Sequence, residues 1–367
     1  MKKACLSFLL IMFFVTTSFA ITHSAGVGAR FAAMGGAGAT LVEDTYSSYY
    51  NPAGIVRSQA IALKIGAGAA QEGMDKLINT LSTANDPSKF LLDNYANSID
   101  VNGNANLFVG LSLAKMGISI MPFTSLSLSK AANTVNGSAN AEAGGAAALT
   151  LGRGFSLPYI GSINTGVNIK YIALGNGSSV VSGTTSNTNA VLYSGMGFDL
   201  GAIGKLDAIP NMPLSVGVVV KNIGATLKGD TTTITKTVDP LTGNVQSETT
   251  TTTSAPEYPL PTTFVVGASG KLPVVGATIA LDVENIGQDN TFSTPAYSIT
   301  HIGFEYPTLG GLIKLRFGKV SGGPSGSTID LTTYGAGFLG NTINLASIID
   351  NANTKNNQIM FDIGIGL

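Results

Sequence analysis

The chain has 367 residues, a formal net charge of −1 and 11% charged residues, where a soluble domain usually has about 25%. So weak a charge argues against a nucleic-acid-binding protein. The mean hydropathy is +0.30, so the chain has more apolar surface than an ordinary core would bury. Lipid around a closed β-barrel could cover the rest.

The first twenty residues have the pattern of a secretory signal that is cleaved after Ala20. Lys2 and Lys3 form its charged end, residues 5–15 its apolar core, and residues 18–20 a small-x-small cleavage site. The apolar run is too short for a comfortable helical membrane span. The only cysteine, Cys5, lies inside this signal, so we expect a mature chain without disulfides.

A segment of unusual composition follows, at residues 28–55. It begins with a run of glycine and alanine, continues through an acidic turn and two tyrosines, and closes on Asn-Pro-Ala-Gly. Glycines suit a backbone that packs against another backbone or needs a positive φ. Because Pro52 cannot donate a backbone hydrogen bond and restricts the residue before it, a helical turn over Ser47–Tyr50 has to end there. An irregular N-terminal arm is the simpler alternative. The candidate site residues of this segment are Gly35, Gly36, Gly38, Glu43, Asp44, Tyr49, Tyr50, Asn51, Pro52, Ala53 and Gly54.

From residue 60 onward the sequence alternates between apolar residues and polar or small ones. Ile61, Leu63 and Ile65 share one face of a strand, and Lys64 and Gly66 share the other. Each alternating stretch is about as long as a tilted membrane-spanning strand, roughly 9–11 residues. We predict fourteen strands, at residues 60–70, 106–114, 117–129, 139–151, 162–174, 190–203, 214–227, 262–272, 277–286, 297–307, 312–320, 328–339, 342–350 and 359–367.

The links between these strands alternate in length along the chain. Every second link is short, as at residues 115–116 and 340–341. The links that alternate with these, such as 130–138, are longer and more polar. An up-and-down barrel with short periplasmic turns and long outer loops produces this pattern. The sequence therefore predicts an all-β protein, a transmembrane up-and-down antiparallel β-barrel of about fourteen strands with both termini on the periplasmic side. A soluble periplasmic β-protein is a further alternative.

Two outer links are long enough to carry structure of their own. Residues 72–101 show helical spacing of apolar residues, which predicts a helical outer loop. Residues 228–261 contain two threonine runs on either side of a turn, which favour a hairpin reaching beyond the membrane, with a disordered loop as the alternative. The predicted organisation is a signal peptide at 1–20, an N-terminal segment at 21–58 and a barrel at 59–367.

Charged residues on three consecutive predicted strands are expected to meet on one wall of the lumen. A charge on the lipid face costs on the order of 2–4 kcal/mol, so the apolar residues of each strand face the lipid and the charged ones face inward. The arrangement is either an ion-pair ladder that braces the wall or a selectivity element. We also expect Glu43 or Asp44 to reach Lys314 or Arg316. The predicted lumen charge cluster consists of Asp282, Glu284, His301, Glu305, Lys314 and Arg316.

The sequence contains no catalytic constellation. The chain has two histidines, His23 and His301, and no cysteine after the signal. A Ser-His-Asp triad would have to use His301, and no Gly-x-Ser-x-Gly motif occurs. Metal sites built on paired histidines or cysteines are excluded by the same count. We therefore predict a protein that is not an enzyme and that has no catalytic residue, metal site or cofactor.

The segment at residues 28–55 resembles the N-terminal signature of FadL-type outer-membrane transport proteins. The match rests on Glu43-Asp44, Tyr49-Tyr50 and the Asn51-Pro52-Ala53-Gly54 motif. The resemblance implies that the small-residue arm and its turn form a hatch in the lumen of the barrel. The segment, and still more the stretches VGVVVKNIGATL and HIGFEYP, also resemble the PorV/PorQ-type and TraF-type relatives of that family.

The FadL-type resemblance implies passive uptake of hydrophobic small molecules across a bacterial outer membrane. Ligand would enter an apolar groove among the outer loops, pass the hatch along Tyr49, Tyr50 and Asn51, and leave laterally or through the lumen. The PorV/TraF-type resemblance implies an interaction protein for protein secretion or conjugation instead. The implied partners are the lipid bilayer, a hydrophobic ligand or an exported protein, and the barrel-assembly machinery, since the C-terminal strand resembles an insertion signal with Leu367 in place of the usual aromatic residue.

Overall fold

The computed structural model describes residues 26–70, 96, 98–134, 136–157, 161–206, 213–239, 245–273, 275–291 and 293–366. The signal at 1–20 and most of the helical loop at 72–101 lie outside these residues. The strands are β1 (Ile61–Ala70), β2 (Ile99–Leu113), β3 (Met116–Lys130), β4 (Gly137–Leu157), β5 (Gly161–Ser182), β6 (Thr185–Leu206), β7 (Leu214–Ile223), β8 (Thr226–Val238), β9 (Val245–Ser254), β10 (Tyr258–Pro259), β11 (Thr263–Lys271), β12 (Thr278–Ile286), β13 (Tyr297–Thr308), β14 (Ile313–Gly322), β15 (Ile329–Phe338), β16 (Ile343–Asp350) and β17 (Gln358–Gly366).

These strands form one closed antiparallel barrel. The first strand, β1, pairs with β2 on one side and with the last strand, β17, on the other, which closes the sheet. Both β7 and β8 pair with β6. On the other side, β11 pairs with β7, and β9 and β10 both pair with β8. These five elements are therefore two barrel strands interrupted by irregularities, and the described barrel has fourteen strands, which confirms the predicted fold class.

The barrel is apolar outside and polar inside. Ile61, Leu63 and Ile65 are 50%, 41% and 42% exposed, as the alternation of the sequence predicts for residues that face lipid. The inward positions of the same strand are Lys64, Gly66 and Gly68, with an alanine at either end. No helix within the described residues is long and apolar enough to cross a membrane.

Strands β4, β5 and β6 are longer than predicted, with 21, 22 and 22 residues. A tilted strand crosses the membrane in roughly 9–11 residues. On β4 the exposed Phe155 marks the inner border of the apolar belt, so the outer half of that strand, which includes Glu142, lies beyond the membrane. The link predicted at residues 175–189 is in fact mostly strand, because pairing with β4 and β6 continues to a tight turn at Gly183, where φ is +59°.

The threonine-rich insertion forms a hairpin, the first of the two predicted alternatives. Thr231 to Thr235 of β8 pair with Thr253 to Thr249 of β9, and β8 also continues the sheet from β6. All ten residues of β9 are exposed. Within the described residues, the hairpin therefore extends the barrel wall away from the membrane.

Two short α-helices and three 3₁₀ turns complete the described structure. Helix α1 is Ala29–Ala32, α2 is Ser47–Tyr50, and a 3₁₀ turn at Pro52–Arg57 leads into β1. The other 3₁₀ turns are Leu309–Gly311 and Thr354–Asn356. We call residues 26–57, which contain α1 and α2, the lumen segment.

Candidate functional site: the occupied lumen

The lumen segment fills the inside of the barrel. Twenty-seven of its 32 residues are buried, and the aromatic residues Phe31, Tyr46 and Tyr50 form a cluster with Phe108 of the wall. The rings of Tyr46 and Phe108 lie 4.2 Å apart between centroids, and those of Phe31 and Tyr50 lie 4.5 Å apart. A second cluster packs the alanines of α1 against apolar residues of β13 to β17.

Hydrogen bonds hold the lumen segment to the wall from several sides. Asp282 of β12 accepts hydrogen bonds from the backbone nitrogens of Gly38 and Ala39, both at 2.8 Å. On the opposite side of the lumen segment, the Asn168 side chain of β5 donates to the Ser48 carbonyl at 2.8 Å. The Ser119 hydroxyl of β3 donates to the Ser48 hydroxyl at 2.7 Å. A segment without regular structure can stay ordered inside the barrel because inward polar side chains satisfy its backbone.

The Asn-Pro-Ala-Gly motif fixes how α2 ends. Asn51 has an extended backbone, and its side-chain oxygen accepts a hydrogen bond from the Ala53 nitrogen at 3.0 Å. Its amide donates to the Ala39 carbonyl at 2.8 Å and to the Ala202 carbonyl of β6 at 3.2 Å. Asn51 is fully buried. These bonds occupy the side chain, so it joins three parts of the structure and does not present itself to a ligand.

The glycines of the segment meet different constraints. Gly35 and Gly36 have φ values of +64° and +82°, which favour glycine. Gly38 has an ordinary φ, but a Cβ there would overlap the ring of Tyr50. Gly54 lies against Val42, with the same consequence.

Tyr49 and Tyr50 line a small cavity between the lumen segment and the wall. The cavity measures about 20 Å³, and its charged wall residues include Lys221, Glu284 and His301. The ammonium of Lys221 lies 5.0 Å from the centre of the Tyr49 ring. The two tyrosines thus lie between the aromatic cluster of the lumen segment and a polar cavity at the wall.

The six residues of the predicted charge cluster form two separate groups. In the first, Glu305 binds Arg316 at 2.8 Å and Lys314 at 3.7 Å. Arg30 of the lumen segment adds a third cation at 3.6 Å. Glu305 of β13 is therefore held by the neighbouring strand β14 and by the lumen segment.

The second group surrounds Glu284. Lys221 of β7 lies 3.3 Å from Glu284, and His301 lies 3.4 Å from it. The other ring nitrogen of His301 is 2.7 Å from the Gly35 carbonyl. Asp282 lines the same cavity but pairs with none of these side chains; it accepts a hydrogen bond from the backbone nitrogen of Gly38. Three of the six residues therefore contact the lumen segment directly, namely Asp282, His301 and Glu305.

Two acidic residues of the lumen segment have partners other than those expected. Glu43 pairs with Arg30 at 2.9 Å, and Asp44 lies 3.7 Å from Lys64 of β1. The expectation that either would pair with Lys314 or Arg316 is corrected by these contacts. Arg30 is the link instead, since it binds both Glu43 and Glu305. Its position in an irregular segment gave no periodicity from which to place it.

Glycines on the inner wall were missed by the sequence reasoning. At these positions a Cβ would overlap, or lie closer than ordinary contact to, an atom of the lumen segment, so the segment touches the wall backbone. Alternation gives the signal, because each of these glycines falls on the inward face of a strand. They are Gly66, Gly110, Gly117, Gly152, Gly154, Gly166, Gly201, Gly217, Gly267, Gly303, Gly318 and Gly335.

Two further features of the described wall are an interruption between β2 and β3 and an apolar groove. The register of β2 and β3 is paired at Asn106–Phe123 and again at Val109–Ile120, with no pair between them. Pro122, which lacks a backbone N–H, lies in this gap. A groove of about 90 Å³ runs over the outer halves of β4, β5, β6 and β8, lined by residues such as Ala141, Ala190 and Leu192.

No protein-family model and no curated protein matches the chain. Solved structures do. The chain is similar to the Pseudomonas putida toluene transporter TodX, with a TM-score of 0.62, 12% identity and coverage of 93% of this chain and 97% of that one. It is similar to CymD, a monoaromatic hydrocarbon channel, with a TM-score of 0.57, 12% identity and coverage of 93% and 97%. It is similar to a Pseudomonas aeruginosa FadL homologue, with a TM-score of 0.56, 8% identity and coverage of 96% and 98%.

Identities of 8–12% make this a likeness of fold. The likeness extends over more than nine-tenths of this chain and of each neighbour. It agrees with the resemblance drawn from the residues around the Asn-Pro-Ala-Gly motif. The chain therefore has the fold of the FadL-type outer-membrane transport proteins.

Proposed function

We propose that the protein is an outer-membrane channel for the passive entry of hydrophobic small molecules, and that the lumen segment is its hatch. The observation that carries the proposal is the lumen itself. A barrel whose interior is filled by its own N-terminal segment conducts solutes only when that segment moves or when the solute leaves through the wall. Two neighbours of the same fold are a toluene transporter and a monoaromatic hydrocarbon channel, and they point to the class of solute.

The apolar groove supports the choice of a hydrophobic solute. It lies on strand halves that extend beyond the membrane, and alanines, glycines and a leucine provide much of its surface. Ligand sites are typically concave and mostly apolar. A dissolved hydrocarbon can be collected there before it reaches the lumen. The sequence-based alternative, a PorV/TraF-like partner in secretion or conjugation, stays a prediction.

The hatch is tested by fixing it to the wall. The Thr40 and Ser269 hydroxyls are 2.7 Å apart, one on the lumen segment and one on β11. In the double variant Thr40→Cys/Ser269→Cys, the two thiols are close enough to form a disulfide, and no cysteine of the mature chain competes if the signal is removed as predicted. We expect oxidation to reduce uptake of radiolabelled toluene by whole cells to the background of cells without the protein, and reduction to restore it.

A wall disulfide provides the control. Asn285 of β12 and Ser298 of β13 face each other, with side chains 2.7 Å apart, and neither belongs to the lumen segment. Oxidised Asn285→Cys/Ser298→Cys protein should transport toluene like the unmodified protein. If the oxidised Thr40–Ser269 variant also transports normally, the lumen segment does not act as the hatch at this contact.

A further inference from the structure

A row of polar side chains crosses the inner wall above the lumen segment. Ser125 of β3 lies opposite Asn104 of β2 on one side and opposite Glu142 of β4 on the other. Gln358 of β17 lies near the same level of the wall, because it pairs with Ala70 of β1 and the β1–β2 pairs end one residue before, at Ala69 and Ala105. We call Gln358, Asn104, Ser125 and Glu142 the polar row.

The alternation of each strand shows that the row faces the lumen. On β3, Ser125 has the same parity as Ser119, which donates to Ser48 of the lumen segment. On β4, Glu142 has the same parity as Thr150, which is buried and bonded to Asn168. Side chains two residues apart on a strand share a face. The row therefore belongs to the interior of the barrel and not to its lipid face.

Each member of the row has an enclosed polar atom without a hydrogen-bond partner in the described part of the chain. The atoms are Asn104 Oδ1, Ser125 Oγ, Glu142 Oε1 and Gln358 Nε2. Glu142 and Gln358 are only 2% and 1% exposed. Leaving one such group unpaired costs about 1–3 kcal/mol. Four unpaired polar atoms at one level of the wall would together cost several kcal/mol. We infer that a polar group from outside the wall forms hydrogen bonds with them.

An apolar surface adjoins the row. Phe123 lies two residues from Ser125 on β3, and the register continues from it through Gly144 of β4 to Leu174 of β5 and Tyr193 of β6. Leu174 and Tyr193 pack with Leu227 and Tyr258 in one cluster, and Phe123 packs against it. Gly144 of β4 adds no side chain to this row, and the Phe123 ring and Leu174 close over it. The two neighbouring rows match the chemistry of a molecule with an apolar body and one polar end.

The row also lies where an entering molecule would arrive. Phe108, which stacks on Tyr46 of the lumen segment, is four residues from Asn104 on β2. The interrupted β2–β3 seam begins directly beyond the Asn106–Phe123 pair. The polar row therefore lies on this wall close to the lumen segment and the seam, with Asn106 between them on β2.

We propose that the polar row and the adjoining apolar cluster bind a neutral, mostly apolar molecule by a hydroxyl group, as in a phenol, before it passes the lumen segment. This inference rests on the proposed function and narrows its substrate class. A hydroxyl donates one hydrogen bond, to Asn104 or Glu142, and accepts another, from Ser125. The row thus provides what one hydroxyl needs.

The charges near the row favour a neutral ligand. No cation is paired with Glu142 among the described residues, so an anionic head group would meet a carboxyl without compensation. Burial raises the pKa of Glu142 to about 7, which keeps much of this carboxyl protonated near neutral pH and able to donate a hydrogen bond as well as accept one. Both forms suit a hydroxyl.

The inference is tested with p-cresol and toluene, which differ by one hydroxyl. Equilibrium dialysis of the detergent-solubilised full chain with each radiolabelled compound, corrected for partition into empty micelles, gives the two dissociation constants. We expect p-cresol to bind at least tenfold more tightly than toluene. In Ser125→Ala/Glu142→Leu, p-cresol should lose most of this advantage, and toluene binding should stay the same or improve.

Toluene serves as the internal control for folding, because the variant has to keep the fold to bind it. Glu257→Leu, which removes an exposed carboxyl outside the lumen, should bind both compounds like the original protein. Equal affinity for both compounds in the original protein, or unchanged p-cresol binding in the double variant, would mean that the row holds only water and would overturn the inference. Failure of the proposed function is separate and shows as uptake of neither compound by cells.

Discussion

At the scale of single residues, Glu142 is the buried carboxyl with the most direct consequence for stability. It lies on the outer half of β4, beyond the membrane, and its pKa is raised from 4.5 to about 7 by desolvation. In the unfolded chain the carboxyl loses its proton at lower pH than in the folded protein. Between these two pKa values the folded state binds more protons, so stability falls as pH rises and levels off above about pH 7.

We predict that Glu142→Gln removes this part of the pH dependence. Relative to the original protein, the variant should gain stability as pH rises from 4.5 to 7, by on the order of 3 kcal/mol in total. Urea unfolding in lipid vesicles at pH 4.5, 6 and 8 measures the difference. Glu248→Gln, at an exposed position of the hairpin, is the control and should follow the original protein. Parallel pH curves for Glu142→Gln and the original protein would contradict the prediction.

Residue-level roles were predictable from the sequence only where a strand provided the frame. Alternation placed His301, Glu305 and Arg316 on the inward face, and their contacts follow from it. Arg30 had no such frame, because its segment has no period, and only the fold shows that it joins Glu43 to Glu305. Lys221 was overlooked for a different reason. Lys221 is on β7, and β11 lies between β7 and β12 in the sheet. In the chain, β7 and β11 are separated by the long hairpin, so the sequence did not place Lys221 near β12.

At the scale of elements, the fit between the lumen segment and β14 depends on the absence of side chains. At Gly318 a Cβ would overlap the nitrogen of Gly35 and the carbonyl carbon of Met34. Both are backbone atoms, so no rotamer change relieves the overlap. The segment itself has to shift away from the wall.

We predict that Gly318→Ala loosens the hatch. Overpacking of this kind typically costs about 1–3 kcal/mol, and the displaced segment should raise the ion conductance of single channels in planar bilayers. Gly204→Ala is the matched control, since its Cβ would meet nothing closer than Val216 O at 4.0 Å. The control should keep both the stability and the conductance of the original protein. If the two variants behave alike, the close approach of the segment at Gly318 does not keep the channel closed.

Elements were predictable where their pattern is local. The threonine runs indicated the hairpin, and Pro52 indicated the end of α2 at Tyr50. The lengths of β4 to β6 were underestimated, because their outer halves contain serine, asparagine and glycine, which are also typical of loops. Pairing with neighbouring strands overrides that local tendency.

At the scale of the whole molecule, the barrel reverses the usual distribution of side chains. Apolar residues face outward, and polar residues face a lumen that the N-terminal segment fills. The alternating link lengths and the strand period predicted the closed barrel, since both are imposed by the membrane. The depth and contacts of the segment were not predictable, because they depend on which inward polar groups meet an irregular backbone.

The polar interior has a consequence for a chain without the segment. Asp282, Asn168 and Thr333 would lose backbone partners on three sides of the lumen. In a dry core this would leave costly unpaired groups, but an emptied barrel admits water, which pairs with them. The wall itself is closed by strand pairing that does not involve the segment. The barrel should therefore persist with an aqueous lumen.

We predict that removing residues 29–57 yields a folded, open pore. The deletion should keep the heat-dependent gel migration of a barrel, lower its melting temperature and increase single-channel conductance severalfold over the original protein. Removing residues 232–252 of the exposed hairpin is the matched control, because that hairpin lies outside the membrane, and it should leave conductance unchanged. If the deletion variant folds and still conducts no more than the original protein, something other than the lumen segment closes the barrel. The hatch proposal would then be wrong, and the Thr40–Ser269 disulfide should likewise have no effect on uptake.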